Sequence, residues 1–419
     1  MSKTVPDAVA ATRPTGATAV RVGVWFAASL ALVTVLGPAG TDMYLSSLPD
    51  IASQLGVGAG QVQLTLTVYL LAMGLGQLIF GPLIDAWGRR WPLVAGVAMF
   101  VVASLWAGSA GSLGVFLAAR VVHGLAAALT LVVALSMVRD VAKGARAAQL
   151  FALLMTIEGL APVLAPTVGG ILDARFGWRA VFLALAAMGA VALVNTLVSL
   201  RESLPHDQRS PLRAGGVVRT YRRVLVDRAF LVPALALATV FFVLFGYIAG
   251  ATFVYQESFG LAPDVFGLVF GATGVAVMLG AITAGRTVSR YGTVRVSVWG
   301  VGLLSAGTVV ALVTAAAGVG LVGIVAGMAI ALFGVGIAES TLMALAMSSQ
   351  STGLGSTAAV LGALQLGIAS AATPLAGSLA AAGPVPWVAL LVAASVVALA
   401  LTRTAARQAP EGLTAMAAH

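Results

Sequence analysis

The stretch RESLPHDQRSPLRAGGVVRTYRRVLVDR, Arg201 to Arg228, is a long hydrophilic connection in a chain otherwise dominated by apolar runs. Six apolar runs of roughly 20 residues precede it and six follow it, and a run of that length lets an α-helix cross the hydrocarbon core of a bilayer. The sequence therefore predicts an all-α membrane protein with twelve transmembrane helices, divided six and six by this linker.

Composition excludes a water-soluble globular protein. Of the 419 residues, 60% are hydrophobic and 9% are charged, whereas soluble proteins carry about 25% charged residues. Cysteine is absent, which excludes a disulfide framework, a thiolate metal site and a thiol nucleophile. The formal net charge of +9 suits either nucleic acid or a membrane protein, and the placement of the charges decides between them.

The predicted spans 1 to 6 lie at about 21–45, 61–84, 91–111, 113–136, 147–172 and 178–200. Spans 7 to 12 lie at about 229–256, 265–288, 294–317, 319–341, 354–380 and 384–402. The chain is thus expected to comprise a disordered tail 1–20, a six-helix bundle 21–200, the linker 201–228, a second six-helix bundle 229–402 and a tail 403–419.

Arginine and lysine are distributed unevenly between the two sides of the predicted membrane. The tails, the linker and the even-numbered loops hold nearly all of them, whereas the odd-numbered loops hold only Arg175 and Arg179. Basic loops remain in the cytoplasm, so both termini are predicted to be cytoplasmic in a bacterial inner membrane. The positive net charge then reflects membrane topology, and a nucleic-acid-binding face is the weaker alternative.

Two short elements repeat weakly between the bundles. GPLIDAWGRR follows span 2 and GRTVSRYGTVR follows span 8, and each contains two glycines seven positions apart. Both stand at the same end of the second helix of their bundle. Two parallel six-helix pseudo-repeats are typical of secondary transporters, although turns with glycine and arginine also recur by chance in membrane proteins.

Four stretches resemble motifs of the major facilitator superfamily. GPLIDAWGRR (Gly81–Arg90) is similar to the signature of its loop 2–3, and LAARVVHGLAAA (Leu117–Ala128) to the span-4 motif of its proton-driven members. EGLAPVLAPTVGG (Glu158–Gly170) is similar to the span-5 antiporter motif, and GTDMYLSSLPDIASQL (Gly40–Leu55) to the end of span 1 in the Bcr/CflA group of drug:proton antiporters. The resemblance implies the twelve-helix fold of that superfamily and export of chloramphenicol-like or bicyclomycin-like drugs.

Two positions depart from those motifs. His123 stands where the span-4 motif commonly has glutamine, and Ala165 stands where the span-5 motif has glycine before Pro166. These departures concern the proton coupling and the packing at the bend of span 5, and they leave the class of protein unchanged.

The loop between spans 2 and 3 is predicted to act as a conformational latch on the cytoplasmic side. Gly81, with the proline after it, bends the end of span 2, and Gly88 permits a tight turn. Asp85 is placed to bond helix N-termini or arginines at the seam between the bundles, and Arg89 and Arg90 complete the latch. A solvated basic loop is the alternative; it accounts for both arginines but not for Asp85.

Span 5 carries a run of glycine and proline that is predicted to form a hinge or a tight sliding face. Its members are Gly159, Pro162, Pro166, Gly169 and Gly170. Proline interrupts helical hydrogen bonding, and small residues let helices approach closely; ordinary packing is the alternative. Glu158 precedes the run near mid-depth, and an intramembrane carboxylate is a candidate contact for a proton or a cationic substrate.

Proton coupling is predicted for Asp42, Arg120, His123 and Glu158. Asp42 late in span 1 and Arg120 early in span 4 lie at comparable depth, so that a pairing between them is possible. An opposite charge favours the ionised carboxylate and desolvation the neutral acid, and a group between these effects can gain and lose a proton. A wet helix end is the alternative for Asp42. His123, one turn after Arg120, either relays protons or is simply hydrogen-bonded within the bundle.

The substrate cavity is predicted to include Tyr44, Glu158 and the span-7 aromatics Phe241, Phe242 and Phe245, followed by Tyr247. Aromatic side chains suit an apolar drug, but they also face lipid readily. Glu339, near the cytoplasmic end of span 10, receives no assignment.

The sequence predicts a proton-driven antiporter that exports small, largely apolar drugs, functions as a monomer and needs no cofactor or metal. A proton-coupled importer of a small nutrient is the alternative, which the glycine and proline run in span 5 disfavours. An enzyme is not expected, because no nucleophile–base pair, metal cluster or phosphate-binding loop is visible.

Overall fold

The computed structural model describes residues 24–209, 214–350 and 354–408, and these residues are almost entirely helical. Within them, twelve helices are long and apolar enough to cross a membrane, which confirms the predicted fold class. The predicted tail at 1–20 and residues 409–419 of the second tail lie outside the described residues.

The spans have the following bounds. Spans 1 to 6 are Trp25–Leu55, Ala59–Trp87, Arg90–Gly108, Leu113–Val141, Gly144–Phe176 and Trp178–Ser199. Spans 7 to 12 are Arg228–Ser258, Pro263–Tyr291, Thr293–Ala316, Leu321–Ser348, Leu354–Ala381 and Pro384–Gln408. The linker between the halves contains a short turn at His206–Gln208 and a helix at Ala214–Val226.

Twelve crossings bring both ends of the helical chain to the same side of the bundle. This side, which also carries the linker after Ser199, is called the terminal face below. The opposite side is called the far face, and it consists of the loops 56–58, 109–112, 259–262, 317–320 and 382–383 with the turn at 177.

Span 1 is longer than predicted, because it continues to Leu55 as a broken helix. Its segments are Val24–Thr34, Leu36–Asp42, a 3-10 turn at Leu45–Ser47 and Leu48–Leu55. Asp42, Ser46 and Ser47 in this region are buried, whereas a wet helix end was the alternative for Asp42. Irregular backbone is tolerated at membrane depth where protein surrounds it, and this is the environment of the break.

Spans 2 and 5 of the first half pack against spans 11 and 8 of the second half, and these contacts form the seam. Hydrogen bonds across the seam lie toward the far face. Gln63 Nε2 donates to the carbonyl oxygen of Ala249 at 2.8 Å, and Gln256 Nε2 donates to that of Ser46 at 2.9 Å. The far face of the seam is therefore closed in this structure.

Candidate functional site

The side chain of Arg120 in span 4 is completely buried and is held by residues of spans 1, 2 and 4. Its guanidinium carbon lies over two aromatic rings, 4.4 Å from the ring centre of Tyr44 and 4.2 Å from that of Tyr69. Nη1 lies 3.0 Å from Nδ1 of His123, and Nε donates to the carbonyl oxygen of Thr65 at 3.4 Å. These five residues are called the arginine cage. The aromatic faces attract the cation and compensate part of the cost of burying it.

The two tyrosines are themselves anchored. The Tyr44 hydroxyl lies 3.1 Å from Oγ1 of Thr65, and the Tyr69 hydroxyl donates to the carbonyl oxygen of Gly37 at 2.9 Å. Gly37 belongs to the helical segment of span 1 just before the break. The cage therefore ties span 4 to span 2 and to the broken span 1.

His123 is fixed in one tautomer by its neighbours. Arginine has no acceptor, so Nδ1 of His123 must accept from Arg120, and the ring proton of the neutral imidazole must sit on Nε2. Nε2 lies 3.3 Å from Oγ of Ser104, and the ring of Phe100 packs 4.2 Å away. Both ring nitrogens are thus engaged, which favours bundle-internal hydrogen bonding over the proton relay among the two alternatives.

Asp42 lies beside the cage but does not pair with Arg120 in this structure. The residue is 5% exposed and stands two positions before Tyr44 of the cage. Among the described residues, the ion pairs within 4.0 Å do not include Arg120. The predicted pairing is not made because two phenol rings cover the guanidinium and His123 occupies one of its edges. Nη2 of Arg120 remains buried without a hydrogen-bond partner.

Tyr44, predicted to line the substrate cavity, is enclosed by other side chains in this structure, and its role in the cavity stays a prediction. It is fully buried, with one side against Arg120 and with Phe116 and Phe182 at ring-centre distances of 6.4 and 5.7 Å. Its position immediately before the 3-10 turn of span 1 directs it into the first bundle. Tyr44 is therefore a structural wall of the cage.

The glycine and proline run of span 5 is a contact face at the far end of the seam. A Cβ atom on Gly169 would collide with the carbonyl oxygen of Met43 at the break in span 1, and one on Gly170 would collide with that of Pro263 in span 8. At the other end of the run, Gly159 has no neighbour within 4 Å of such an atom. Close approach therefore requires Gly169 and Gly170, and the start of the run is open.

Span 8 supplies the matching surface, which the sequence analysis missed. Cβ atoms on Gly267 and Gly271 would collide with the carbonyl oxygens of Pro166 and Val163 in span 5. Oγ1 of Thr167 also donates to the carbonyl oxygen of Gly267 at 2.9 Å. The spacing of these two glycines, four positions apart, is typical of closely packed membrane helices and was a usable signal.

The predicted latch residues form a charge network within the first half. Arg89 is 5% exposed, and its Nη1 lies 2.8 Å from Oδ1 of Asp85 while its Nε lies 2.9 Å from Oδ2 of Asp140 in span 4. Oγ of Ser203 donates to the same Asp140 oxygen at 2.9 Å. The network therefore joins loop 2–3, the end of span 4 and the start of the linker.

Glu202 of the linker completes this network and was not predicted. Its carboxylate accepts from the backbone N–H groups of Arg89 at 2.8 Å and Arg90 at 3.3 Å, at the start of span 3. Such an anion at a helix N-terminus offsets the helix dipole. Arg209 forms an ion pair with Glu202 at 3.5 Å. Gly88, with φ +92°, makes the tight turn of the backbone next to these two side chains.

Among the described residues, Asp85 forms an ion pair with Arg89 and no ion pair with the second half, so the latch remains a prediction. Its side chain is 55% exposed. Nearby, the Tyr221 hydroxyl of the linker helix donates to the carbonyl oxygen of Leu78 at 2.8 Å. Burial raises the pKa of Tyr221, and the Asp85 carboxylate raises it further, so the hydroxyl stays a donor. A Cβ atom on Gly81 would meet no described neighbour within 4 Å outside its own helix backbone, so close packing does not require glycine there.

Glu158 of span 5 is partly buried, and so is Glu339 of span 10, the carboxylate that received no assignment. Oε1 of Glu158 is buried and has no hydrogen-bond partner. Span 10 thus adds a second partly buried carboxylate to the one predicted in span 5.

The span-7 aromatics divide into three environments. Tyr247 is buried, bonded to Oγ1 of Thr273 at 2.8 Å and stacked on Phe270, so it belongs to the core of the second half. Phe241 and Phe245 are partly exposed and pack against the core on one face, with ring centres 6.3 Å apart. Phe242 is partly exposed and lies outside that cluster.

Comparison with known proteins gives a consistent result. The sequence pattern described as the Major Facilitator Superfamily matches residues 30–374. The chain is 35% identical over 353 residues to the uncharacterized MFS-type transporter YdgK of Bacillus subtilis, covering 83% of this chain and 87% of that protein. It is 29% identical over 267 residues to a bicyclomycin resistance protein homolog of Haemophilus influenzae, covering 64% and 67% of the two chains.

A solved structure supports the fold independently of sequence. A bacterial homolog of the human lysosomal transporter Spinster, in an inward-facing and unoccupied conformation, superposes with a TM-score of 0.72 over 94% of this chain and 98% of its own. The identity is 16%, so the likeness concerns the fold alone.

Proposed function

The chain belongs to the major facilitator superfamily, and from that membership we propose that it is a proton-driven antiporter that exports small, largely apolar drugs. The relatives include a protein named for bicyclomycin resistance, which supports a drug as substrate. Chloramphenicol-like and bicyclomycin-like compounds are the first candidates. Transport by a fold of two six-helix halves accounts for all of the site residues, so no enzyme reaction is needed to explain them.

The observation that carries the proposal is the arginine cage with Asp42 beside it. Arginine keeps its charge at any physiological pH, so Arg120 is a fixed positive charge at the break in span 1. Asp42 is an ionisable group two positions before Tyr44, and among the described residues it forms no ion pair within 4.0 Å. Nη2 of Arg120 has no hydrogen-bond partner and could donate to the Asp42 carboxylate. A small movement of span 1 would switch Asp42 between a paired, ionised state and an unpaired, protonated state.

Alternating access supplies that movement. The far face of the seam is closed at span 1 by the hydrogen bond from Gln256 of span 7 to the carbonyl oxygen of Ser46, four residues after Asp42. Opening the far face must separate these two residues and thereby shift the break in span 1. Drug exchange at one face and proton exchange at Asp42 are coupled in this way.

The orientation follows from the charges. The terminal face carries the arginines of the linker and of loop 2–3, whereas Arg175 and Arg179 are on the far face. Basic residues favour the cytoplasm, so we place the terminal face and both termini in the cytoplasm of a bacterial inner-membrane protein that acts as a monomer. One inward proton at 100 mV releases about 2.3 kcal/mol, and one pH unit adds about 1.4 kcal/mol.

The test is Asp42→Asn in energised membrane vesicles and in purified protein. We expect uphill export of chloramphenicol or bicyclomycin to fall to the level of vesicles without the transporter, because the exchangeable proton is lost. Binding of the drug to the purified variant should change little. Asp50→Asn is the matched control, since Asp50 lies in the same span but is exposed.

The same measurements distinguish the proposed antiporter from the alternative, a proton-coupled importer of a small nutrient. Uphill export by Asp42→Asn at the normal rate would show that Asp42 is not the proton carrier. Inward movement of substrate together with protons in the unmodified protein would identify an importer instead.

A further inference from the structure

We propose that a groove on the outer surface of the second half, between spans 9 and 12, binds one anionic phospholipid of the surrounding bilayer. An acyl chain of the lipid would fill the apolar length of the groove, and the phosphate would meet Arg403 at the end near the terminal face. This site lies outside the seam, so it goes beyond the transport function proposed above.

The groove has the size and the lining of a site for an apolar chain. Its volume is about 570 Å³, which lies within the range of about 300–1,000 Å³ that is usual for ligand sites. It is lined by Val298, Trp299, Gly302, Leu303, Leu399 and Arg403. A Cβ atom on Gly302 would meet no described neighbour within 4 Å outside its own helix backbone, so this glycine leaves the groove unfilled.

The groove opens to the lipid and not to the seam. Spans 9 and 12 pack against each other and against other spans of the second half. Of the residues that line the groove, Trp299 is 49% exposed and Leu303 is 37% exposed. These side chains therefore face the hydrocarbon that surrounds the protein.

The groove follows the direction of a lipid in one leaflet. Span 9 begins at Thr293 on the terminal face, and Trp299 lies six residues into it, about 9 Å deep. Leu303 is one turn deeper than Trp299, and Leu399 is one turn deeper than Arg403, because span 12 ends at the terminal face. The charged end of the groove thus lies near the membrane surface and the apolar end in the hydrocarbon, which is the order of headgroup and acyl chain.

Positive charge without a partner surrounds the end of the groove near the terminal face. Residues 285–299 and 399–408 contain five arginines and no aspartate or glutamate. Among the described residues, the ion pairs within 4.0 Å include none of these five arginines. The first of the two segments contains the counterpart of loop 2–3, where acidic residues pair with Arg89. The counterpart lacks such acids, so its arginines remain available to an anion from outside the chain.

Aromatic rings connect a second arginine to the groove. The guanidinium carbon of Arg290 lies 5.3 Å from the ring centre of Tyr291, and that ring meets Trp299 edge-on at a centre distance of 5.1 Å. Tryptophan and tyrosine are enriched at the membrane–water interface, and basic residues there attract anionic lipids. Trp299 therefore forms one wall of the groove at the level of the headgroups, with Arg403 on the other helix.

Charge also selects among the candidate occupants of the groove. A second copy of the chain bound through this face would place the same arginines opposite each other about a two-fold axis, and like charges repel. A neutral lipid would fill the apolar length but leave Arg403 without an anion, and a free phosphate ion would leave the apolar length empty. An anionic phospholipid satisfies both ends of the groove.

The experiment measures binding of the first lipid to the purified transporter by native mass spectrometry. Phosphatidylglycerol and phosphatidylcholine with identical acyl chains are the probes, and the unmodified protein should bind phosphatidylglycerol more tightly. Arg403→Gln should weaken phosphatidylglycerol binding about fivefold, which is about 1 kcal/mol and the usual contribution of one arginine near an anionic surface. Phosphatidylcholine binding should stay within about twofold. Arg175→Gln, which removes an exposed arginine at the far face, is the matched control and should alter neither.

Gly302→Leu tests the apolar part of the same groove. A leucine side chain at this position enters the open groove, so it should weaken the binding of both lipids by displacing the acyl chain. Gly114→Leu in span 4 is the matched control, since a Cβ atom there also meets no described neighbour within 4 Å outside its own helix backbone.

Three results would overturn the lipid site. The first is equal affinity of the unmodified protein for the two lipids, or phosphatidylglycerol binding that neither Arg403→Gln nor Gly302→Leu weakens. The second is displacement of phosphatidylglycerol by equimolar inorganic phosphate, which identifies the free ion as the ligand. The third is a dimer that disappears in Gly302→Leu, which identifies an interface between copies of the chain.

Fluorescence quenching locates the lipid in the groove. Brominated phosphatidylglycerol should quench the tryptophan fluorescence more than brominated phosphatidylcholine at the same mole fraction, and Trp299→Phe should abolish most of this excess. Trp106→Phe removes an exposed tryptophan near the far face, so it should keep the excess. An excess that survives Trp299→Phe places the lipid elsewhere and refutes the site. None of these measurements needs a drug or a proton gradient, so failure of the antiport proposal would leave them unchanged.

Discussion

Two buried arginines of the first half are compensated in opposite ways. Arg89 is held by two carboxylates, Asp85 and Asp140, at 2.8 and 2.9 Å. Arg120 is held by two tyrosine faces, a neutral histidine and a backbone carbonyl, with no carboxylate among its described contacts. The first charge is cancelled locally, and the second is stabilised without being cancelled.

The difference indicates different roles. A cancelled charge such as Arg89 fixes the ends of spans 2, 3 and 4 relative to the linker, since moving it would break ion pairs. An uncancelled charge such as Arg120 keeps a positive potential at the neighbouring Asp42, where it can influence a proton. The comparison therefore predicts that substitutions around Arg120 affect coupling and those around Arg89 affect stability or turnover.

Arg120→Gln is expected to have the largest effect. It should leave folded protein in the membrane but abolish uphill drug export, because the fixed positive charge beside Asp42 is lost. It should also shift the pH dependence of drug binding. Arg120→Lys keeps the charge but loses the planar fork of donors, so partial activity is expected. Normal uphill transport by Arg120→Gln would contradict the coupling role, and misfolding of both variants would indicate a purely structural arginine.

Asp140→Asn tests the other arginine. It removes one of two carboxylates from Arg89 and weakens the hydrogen bond from Ser203, so the protein should lose about 2 kcal/mol of stability. Thermal unfolding in detergent measures this loss. The proton-to-drug ratio in vesicles should be unchanged, and a changed ratio would erase the distinction between the two arginines.

Asp85→Asn removes the exposed partner of Arg89 and should cost less than about 1 kcal/mol of stability, as is usual for exposed ion pairs. We expect turnover to fall more than drug affinity, because the latch lies at the terminal face and outside the cavity. Stopped-flow transport and equilibrium binding separate the two quantities. A large loss of affinity with normal turnover would refute the latch.

Tyr69→Phe should have the smallest effect. It keeps the ring beneath Arg120 and removes only the hydrogen bond to the carbonyl of Gly37, which in membrane proteins is worth about 0.6 kcal/mol. Tyr69→Leu removes the ring as well and should be clearly more destabilising in the same melting assay. Equal effects of the two variants would show that the aromatic face contributes nothing to the cage.

Part of the candidate site was predictable from the sequence and part was not. Arg120, Asp85 and Glu158 were identified from the sequence because a charged residue within or next to an apolar run stands out from its neighbours. Their partners were not: Asp140 and Glu202 looked like ordinary polar residues near loops, and Tyr69 looked like any apolar aromatic residue. The expected pairing of Asp42 with Arg120 relied on depth alone, and depth does not specify which way a side chain points.

The sequence by itself determined the twelve spans, the division into two halves and the uneven placement of positive charge. These features depend on hydropathy and charge along the chain, which are local properties. Only the tertiary structure decided that Arg120 meets tyrosines and that Gly169 touches the break in span 1. In a membrane the lipid-facing and the buried sides of a helix are both apolar, so the sequence pattern does not reveal how each helix is rotated about its axis. That rotation is set by close packing at glycines such as Gly169, Gly170 and Gly267, and it determines which charges come together.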